Sequence, residues 1–387
     1  MKVALLHKRF APVGGTEGYV WELAHRLARR GEEVHVLCAE AQGSPGAGIR
    51  VRRLPVLRLG PTARMVSYAL AADRLLRREP FDLVQGFGKT LRQDLFRLGG
   101  GCHAAYLERA HRPGSPGWIR TLAASSPHQR AALAIERRTF APGNFRLLVT
   151  NSRMVREDLL RRFAVDPSRV RILYSGVDLR RFRPRPELRS PLRRELGVDE
   201  ASFVLVYVGT GFGRKGLGAL LRALPILHRQ GLPARLLVVG RDARLAAHER
   251  LVRRLGLPEG SVLFRGGRAE VEREYAVGDL FVLPTLYDPF ANATLEAMAC
   301  GLPALTTDAN GAAEVLEDGA GAILPSPASP EAIARAVLPL LDADRRRAAA
   351  ARAREIAERF PREKHWEELD RLHAQVAGGK RGVPPIP

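Results

Sequence analysis

The chain is poor in the residues that make cross-links and membrane spans. It holds three cysteines, Cys38, Cys102 and Cys300, an odd number set far apart and without metal-ligand spacing. That pattern offers neither a disulfide framework nor a zinc site. Cys38 closes a strand and Cys300 closes a helix, and both read as small core residues. Aromatic residues make up only 6%. No apolar run reaches the roughly 18–20 residues of a membrane-spanning helix. The opening "MKVALLHKRF" starts as a strand, its apolar part is too short for a secretory signal, and no small-residue cleavage site follows. The expectation is a protein of the cytoplasm. Acidic residues are outnumbered as well, 41 against 62 basic ones, for a net charge of +21. The excess is mainly arginine spread along the whole chain. Such charge favours polyanions: nucleic acid, anionic lipid headgroups or phosphorylated glycans. Charge alone does not choose among them.

What is present is an ordinary globular composition, 45% apolar over 387 residues. Single cores stop growing near ~250–300 residues, so two domains are expected. One plan occurs twice. Residues 3–38 run as strand "VALLH", loop "KRFAPVGGT", helix "EGYVWELAHRLARRG" and strand "EVHVLC". Trp21, Ala24, Leu27 and Ala28 form an apolar helix face, and Gly31 stands at the helix C-terminus. Residues 203–240 repeat the plan as "FVLVYVG", "TGFGRKG", "LGALLRALPILHRQG" and "ARLLVVG". Further strands are read at "DLVQGF", "RLLVTNS", "RVRILYSG", "VLFRGG", "DLFVLPT" and "LPALTT". Continuous apolar strands are those of parallel sheets buried on both faces. The predicted fold is therefore α/β, with two doubly wound parallel-sheet domains and a seam in the Pro- and Arg-rich stretch 178–197. Ligands in such sheets sit at the carboxyl ends of the strands.

Three strand-end loops carry candidate chemistry. In "VGTGFGRKG" (208–216), glycine backbone and a helix N-terminus meet Arg214 and Lys215. Exposed N–H groups, the helix dipole and two full charges suit a phosphate. The loop lacks the GxxxxGK[ST] of a Walker site, and its GxGxxG spelling lacks the acid that a dinucleotide site places at the end of the next strand, since Asp242 lies just beyond it. The plain alternative is a solvated turn with two surface cations. In "LYDPFANATLEAMACGLPALTT" (286–307), a helix beginning near Ala293 puts Glu296 in its first turn, where a carboxylate can accept from vicinal hydroxyls. The amides from Asn292 through Ala293 and Thr294 to Leu295 can bind a diphosphate, and Asp288 lies in the preceding loop. The alternative is a capping carboxylate and a turn aspartate. In "APVGGTEG" (11–18), Gly14 and Gly15 permit close approach of the backbone to a ligand, or form an ordinary strand–helix turn.

Taken together, "VGGTE", "ILYSGVDLRRFRP", "VGTGFGRKG", "VVGRD", "VLFRGGRAEVEREYAVGDLFVLPT" and "DPFANATLEAMACGLPALTT" resemble the retaining family 4 glycosyltransferases of the GT-B fold. They occur in the family's order over nearly the whole chain. Within that family, "HKRFAPVGG", "GFGKTLRQD" and "FGRKG" resemble the lipopolysaccharide core glucosyltransferase I group. The resemblance implies two Rossmann-like domains facing across a cleft: residues 1–185 on the acceptor side, 186–360 binding the nucleotide-sugar, and 361–387 a last helix crossing back to the N-domain with a flexible tail. It implies that Arg214 and Lys215 neutralise the donor diphosphate, that Glu296 holds the ribose, and that Gly14, Gly15, Gly209, Arg268, Asn292, Ala293 and Thr294 complete the donor site. Asp288 stands where the family has the first Glu of an E-x7-E pair, with the same charge and a shorter reach. Ala291 stands where a Gly is common. His103, in the segment "GGGCHAAYLERAH", takes the polar role near the donor sugar, and Asp94 is a second candidate there. No metal or other cofactor is expected, since no Asp-x-Asp lies at a strand end. The implied reaction moves a hexose, glucose from UDP-glucose, to a lipopolysaccharide core or another phosphorylated, lipid-linked glycan.

Residues 104–140 mix Tyr106, Leu107, Trp118, Ile119 and Leu122 with Arg109, Arg112 and Arg120. They read either as a dock for anionic lipid at the inner face of the cytoplasmic membrane or as a helical insertion packed on its own core. A monomer is expected. Three readings compete. A nucleotide-sugar 2-epimerase would offer further acids and histidines. A nicotinamide-dependent dehydrogenase, suggested by Glu40 after the second strand, would need a complete fingerprint. A basic nucleic-acid or membrane-surface protein remains on charge, but no nucleic-acid-binding signature appears, so no nucleic-acid partner is expected.

Overall fold

A computed structural model describes residues 1–110 and 126–379. The chain forms two compact units, Met1–Leu173 with Glu367–Pro387, and Tyr174–Trp366. The first contains β1 (Lys2–Leu6), β2 (Arg9–Phe10), α1 (Gly15–Arg29), β3 (Glu33–Cys38), β4 (Glu40–Ala41), β5 (Ile49–Arg53), α2 (Gly60–Arg78), β6 (Leu83–Gly86), β7 (Leu95–Arg97), α3 (His103–Ala110), α4 (Pro127–Thr139), β8 (Leu147–Thr150), α5 (Arg153–Arg162) and β9 (Val170–Ile172). Its main sheet is parallel throughout, in the order β5-β3-β1-β6-β7-β8-β9. The sequence order reverses between β1 and β6. That reversal opens a crevice at the carboxyl ends of these two strands, beside the loop bearing Gly14 and Gly15.

The second unit follows with α6 (Pro186–Glu195), β10 (Val204–Val208), α7 (Leu217–Arg229), β11 (Arg235–Val239), α8 (Leu245–Arg254), β12 (Val262–Gly266), α9 (Val271–Ala276), β13 (Leu280–Leu283), α10 (Asn292–Ala299), β14 (Ala304–Thr307), β15 (Gly321–Leu324), α11 (Pro330–Val337) and α12 (Ala343–Glu358). Its sheet is also parallel, in the order β12-β11-β10-β13-β14-β15. Here the reversal falls between β10 and β13, which brings the loops after these two strands together. The last helix, α13 (Arg362–Gly378), is divided between the units at Glu367.

The apolar strand runs are buried as parallel sheets require. Val3, Ala4, Leu5 and Leu6 of β1 and Leu280, Phe281, Val282 and Leu283 of β13 are wholly inaccessible. Three strands of the two main sheets escaped the sequence reading. β7 has only three residues, β5 ("IRVRR") interleaves arginine with its apolar positions, and β15 ("GAIL") opens on a glycine. The core face of α1 is Val20, Leu23, Ala24 and Leu27. Trp21 instead stacks on Phe10, ring centroids 4.6 Å apart. The division after Leu173 falls earlier than the expected seam. Val177 and Phe182 are buried in the second unit's core, so the Pro- and Arg-rich stretch belongs to that unit from its start. All three cysteines are buried and free. Burial pushes the Cys38 and Cys300 thiols up to about 11 and about 12, as expected of inert core residues.

Arg193 anchors the entry to the second sheet. Its fully buried guanidinium donates to the carbonyls of Asp199, Glu200, Ser202 and Val277, and to Asp279 Oδ2 at 2.8 Å. Asp279 Oδ2 also accepts from the Val204 amide at 2.8 Å, which fixes the first residue of β10. Removing one partner of such a pair leaves a buried charge and several carbonyls unsatisfied. Arg193→Met is therefore expected to lower the unfolding free energy by about 3–5 kcal/mol. Urea unfolding measures this, and a loss under about 1 kcal/mol would remove the anchoring role.

Candidate functional site

In the second unit the loop from Gly209 to Gly216 joins β10 to α7. Glycine is obligatory at 216: φ is +77°, and a Cβ there would fall 1.8 Å from the Pro284 carbonyl oxygen. The loop is thereby pressed against the end of β13. A Cβ at Gly209 would lie 2.5 Å from Lys215 Cδ, so the bare backbone at 209 is what lets the lysine stem lie across the strand end. Asp242 has a framework role. Its Oδ2 accepts from the Phe212 amide at 2.6 Å and its Oδ1 from the Arg244 amide at 2.6 Å.

The two cations of the loop converge on one carboxylate. Arg214 Nη1 and Lys215 Nζ each lie 3.1 Å from Asp288 Oδ2, and Arg214 also donates to the Tyr287 carbonyl at 2.7 Å. Burial pushes the Asp288 carboxyl up, but the charges and hydrogen bonds of Lys215 and Arg214 override it and hold the group below its ordinary value. Asp288 therefore stays ionised and holds the two cations side by side at the mouth of the sheet. Its backbone is fixed as well: its amide donates to the Ala309 carbonyl, and its carbonyl accepts from the Gly311 amide, both at 2.9 Å.

Asn310 sets the start of α10. Its Oδ1 accepts from the Ala291 and Ala312 amides, and its Nδ2 donates to Thr294 Oγ1 and Thr306 Oγ1. The helix begins at Asn292, with no side chain capping its N-terminus. The first-turn amides of Asn292 and Ala293 have no partner within the helix by position. Because the helix starts one residue earlier than the sequence reading placed it, Glu296 opens the second turn, and the dipole acts on it less than expected. Glu296 is held by Tyr275, whose hydroxyl donates to Oε2 at 3.2 Å. Burial raises its carboxyl above the ordinary value, and the Tyr275 hydrogen bond with the charges of Arg362, Arg181 and Lys215 offsets only part of this. Arg268 stands apart: its Nε pairs with Glu274 Oε1 at 3.4 Å, and its side chain is 42% exposed. Tyr275 and Asn310 carry no local sequence signal and reach the site from other elements.

In the first unit, Gly14 takes φ +123°, and a Cβ there would meet Glu17 Oε2 at 2.8 Å; the Cβ side of Gly15 is open. His103 begins α3. Its amide and that of Ala104 donate to Glu136, at 2.6 and 3.1 Å, and its Nε2 donates to Gln129 Oε1. Burial and the charge of Lys89 lower the His103 pKa, so the ring is neutral, with Nδ1 as its acceptor. Asp94 is a framework residue. Its Oδ2 accepts from the Val84 amide at 2.8 Å and its Oδ1 faces Arg146 Nε at 3.4 Å. Arg109 pairs with the fully buried Asp158 at 3.2 Å. Leu107 is buried, as are Ala132, Ile135, Glu136 and Thr139 of α4, so this part of the 104–140 stretch packs on its own core. Arg112, Trp118 and Arg120 lie outside the described residues. Among the described residues no helix is long and apolar enough to cross a membrane, and no cluster of His, Cys, Asp or Glu is placed to hold a metal ion.

The raised carboxyl of Glu296 has a stability consequence. Its folded pKa exceeds its unfolded one, so ionisation disfavours the folded chain as pH rises past about 4.5, the ordinary Glu value. Glu296→Gln keeps the shape and the acceptor for Tyr275 without the charge. It is expected to be more stable than the parent at pH 7, with the difference fading as pH falls towards 4.5. Urea unfolding at the two pH values measures this, and equal stability at pH 7 would count against the assigned cause.

Residues 13–181 match the model of Glycosyltransferase Family 4, and residues 202–343 that of Glycosyl transferases group 1. The lipopolysaccharide glucosyltransferase WaaG of Escherichia coli (strain K12) is 28% identical over 336 residues, covering 86% of this chain and 87% of that protein. A D-inositol 3-phosphate glycosyltransferase of Rhodococcus erythropolis is 29% identical over 92% of this chain and 84% of that protein. The crystal structure of WaaG, a glycosyltransferase involved in lipopolysaccharide biosynthesis, superposes with a TM-score of 0.83 at 26% identity, over 97% of this chain and all of the other. With both sheets in the same doubly wound order and both halves matched, the chain belongs to the group 1/family 4 glycosyltransferases of the GT-B fold.

Proposed function

We propose that the protein transfers a hexose, glucose from UDP-glucose, to a lipopolysaccharide core or another phosphorylated, lipid-linked glycan, with retention at the anomeric carbon and without a metal. The observation that carries the donor side is the meeting of Arg214 and Lys215 on Asp288, beside the uncapped N-terminus of α10. Two cations and a helix end match the charge of a nucleoside diphosphate leaving group and do the work a metal would do. When the diphosphate enters, its oxygens join Asp288 around the two cations. Gly209 and the amides of Asn292, Ala293 and Thr294 approach the same phosphates. Glu296, steadied by Tyr275, accepts from the ribose hydroxyls. Gly14 and Gly15 are assigned to the donor phosphates from the first unit, Arg268 to the donor, and the neutral His103 to a sugar hydroxyl through Nδ1.

In the reaction the bond from the anomeric carbon to the diphosphate oxygen breaks through an oxocarbenium-like state. Arg214, Lys215 and the helix amides take up the charge that develops on the leaving oxygen. The acceptor hydroxyl attacks from the same face, and its proton passes to the departing phosphate. Asp288, engaged by two cations, is not placed to act as a nucleophile. The acceptor reading rests on the likeness to WaaG along most of the chain and on the basic surface, with the protein at the inner face of the cytoplasmic membrane. A phosphorylated polyol acceptor is the second reading, favoured by the Rhodococcus relative; both acceptors carry phosphate.

Calorimetric titration with UDP, GDP, ADP and NAD tests the donor side. The parent is expected to bind UDP in preference to the others. Lys215→Ala should lose on the order of 3 kcal/mol of transition-state stabilisation, roughly 100-fold in turnover, along with most of its UDP affinity. A preference for GDP or ADP would keep the transferase and change the donor. No nucleotide binding would overturn the site.

A further inference from the structure

Asn310 is a buried amide with every bond made. It is 1% exposed. Its Oδ1 accepts from the Ala291 amide at 3.1 Å and from the Ala312 amide at 3.0 Å. Two N–H donors facing one atom identify that atom as the oxygen. Its Nδ2 donates to Thr294 Oγ1 at 3.2 Å and to Thr306 Oγ1 at 3.0 Å. Both lone pairs and both protons of the amide are thereby used. Thr306, in β14, donates in turn to the Leu283 carbonyl at the end of β13, at 2.8 Å. The backbone beside Asn310 is tied as firmly. Residue 310 lies opposite Asp288 in a parallel bridge, made by the Asp288 amide on the Ala309 carbonyl and the Gly311 amide on the Asp288 carbonyl, both at 2.9 Å. One residue thus holds Asp288 through the main chain and the start of α10 through the side chain.

A helix start is ordinarily closed in another way. An N-cap side chain accepts from the second or third amide of the helix and so consumes it. Asn310 accepts from Ala291, the residue before α10. It fixes the helix start and leaves the amides of Asn292 and Ala293 without a partner inside the helix. On the other side of the same residue, Asp288 holds Arg214 and Lys215. Pro289, Phe290 and Ala291 are all that separate Asp288 from the helix. A fully satisfied buried network specifies one arrangement, so the cation pair and the free amides stand at a fixed spacing. Two anion-binding groups at a fixed spacing suit a ligand with two linked phosphates, whereas a single phosphate satisfies one of them. We propose that Asn310 is the positioning residue that sets this spacing, and that it makes the site select a nucleoside diphosphate over the corresponding monophosphate. This role rests on the donor reading of the site.

The test is calorimetric titration of UDP and of UMP into the full chain, for the parent, Asn310→Ala, Thr306→Val and Arg193→Met. The parent is expected to bind UDP more tightly than UMP. Asn310→Ala should lower the ratio of UDP to UMP affinity about tenfold, the size of one charge-assisted hydrogen bond, with UMP affinity close to that of the parent. Thr306→Val keeps the side-chain shape and deletes one of the bonds made by Nδ2, so it should lower the ratio about threefold in a folded chain. It decides the matter if Asn310→Ala does not fold. Arg193→Met destabilises the same unit far from these loops in sequence and should leave the ratio unchanged. Equal affinity of the parent for UDP and UMP, or a parent-like ratio in both Asn310→Ala and Thr306→Val, would overturn the role and leave the donor site standing. An equal fall of the ratio in Arg193→Met would also overturn it, since the ratio would then report stability. If the parent prefers GDP or ADP, the donor base changes, and the same outcomes are read from that diphosphate and its monophosphate. Absence of nucleotide binding by the parent would overturn the donor site and this role together.

Discussion

Everything at the candidate site of the second unit depends on one carboxylate holding two cations. Arg214 and Lys215 are adjacent in sequence and repel each other. Asp288 supplies the counter-charge that lets both side chains share one place, and its own ionisation is secured by them. The backbone around this trio is stiff for the same purpose. Gly216 lies flat against Pro284, the Arg214 carbonyl accepts from the Leu286 amide at 2.8 Å, and Thr285 Oγ1 reaches the same carbonyl at 3.2 Å. A site set up this way need not rearrange its dipoles when charge develops, which is where most of the benefit of a preorganised site lies. An aspartate engaged by two cations is suited to holding them.

The rest of the site follows from strand order. A sheet whose order reverses between its first and fourth strands opens a gap there, and the loops that fill it come from distant parts of the chain. The pairing of the loop after β10 with the loop after β13 puts residues 214 and 288 in contact. In the first unit the same reversal, between β1 and β6, brings the Gly14 loop near the segments that follow β6 and β7. Two helix N-termini without a side-chain cap, at α1 and α10, are thus products of one topology used twice.

Much of this was legible in the sequence, for a definite reason. Parallel strands buried on both faces leave continuous apolar runs, and glycine loops punctuate them, so β1, β3, β10, β11 and β13 were found within a residue or two. β5, β7 and β15 were not, being short, arginine-rich or glycine-led. The cations and acids of the loops after β10 and β13 stood out because charge beside glycine at a strand end has few structural uses. Tyr275 and Asn310 gave no such sign. Each acts through a contact between segments far apart in the chain, and local pattern carries no record of tertiary distance. Asp94 and Arg109 drew attention as polar groups in a functional region and turned out to be paired within the first unit's framework.

The division of the chain at Leu173 and Glu367 has a consequence for how the molecule is made. The first unit is discontinuous, with the second inserted between its β9 and the end of α13. His373, from the returning helix, is buried against Gln85 of β6 with Nε2 and Oε1 2.8 Å apart. During synthesis the first sheet must therefore wait with Gln85 unpartnered until nearly the whole chain has emerged. The inserted unit has no such debt and is complete at Trp366, so the half made second is the half that can finish first.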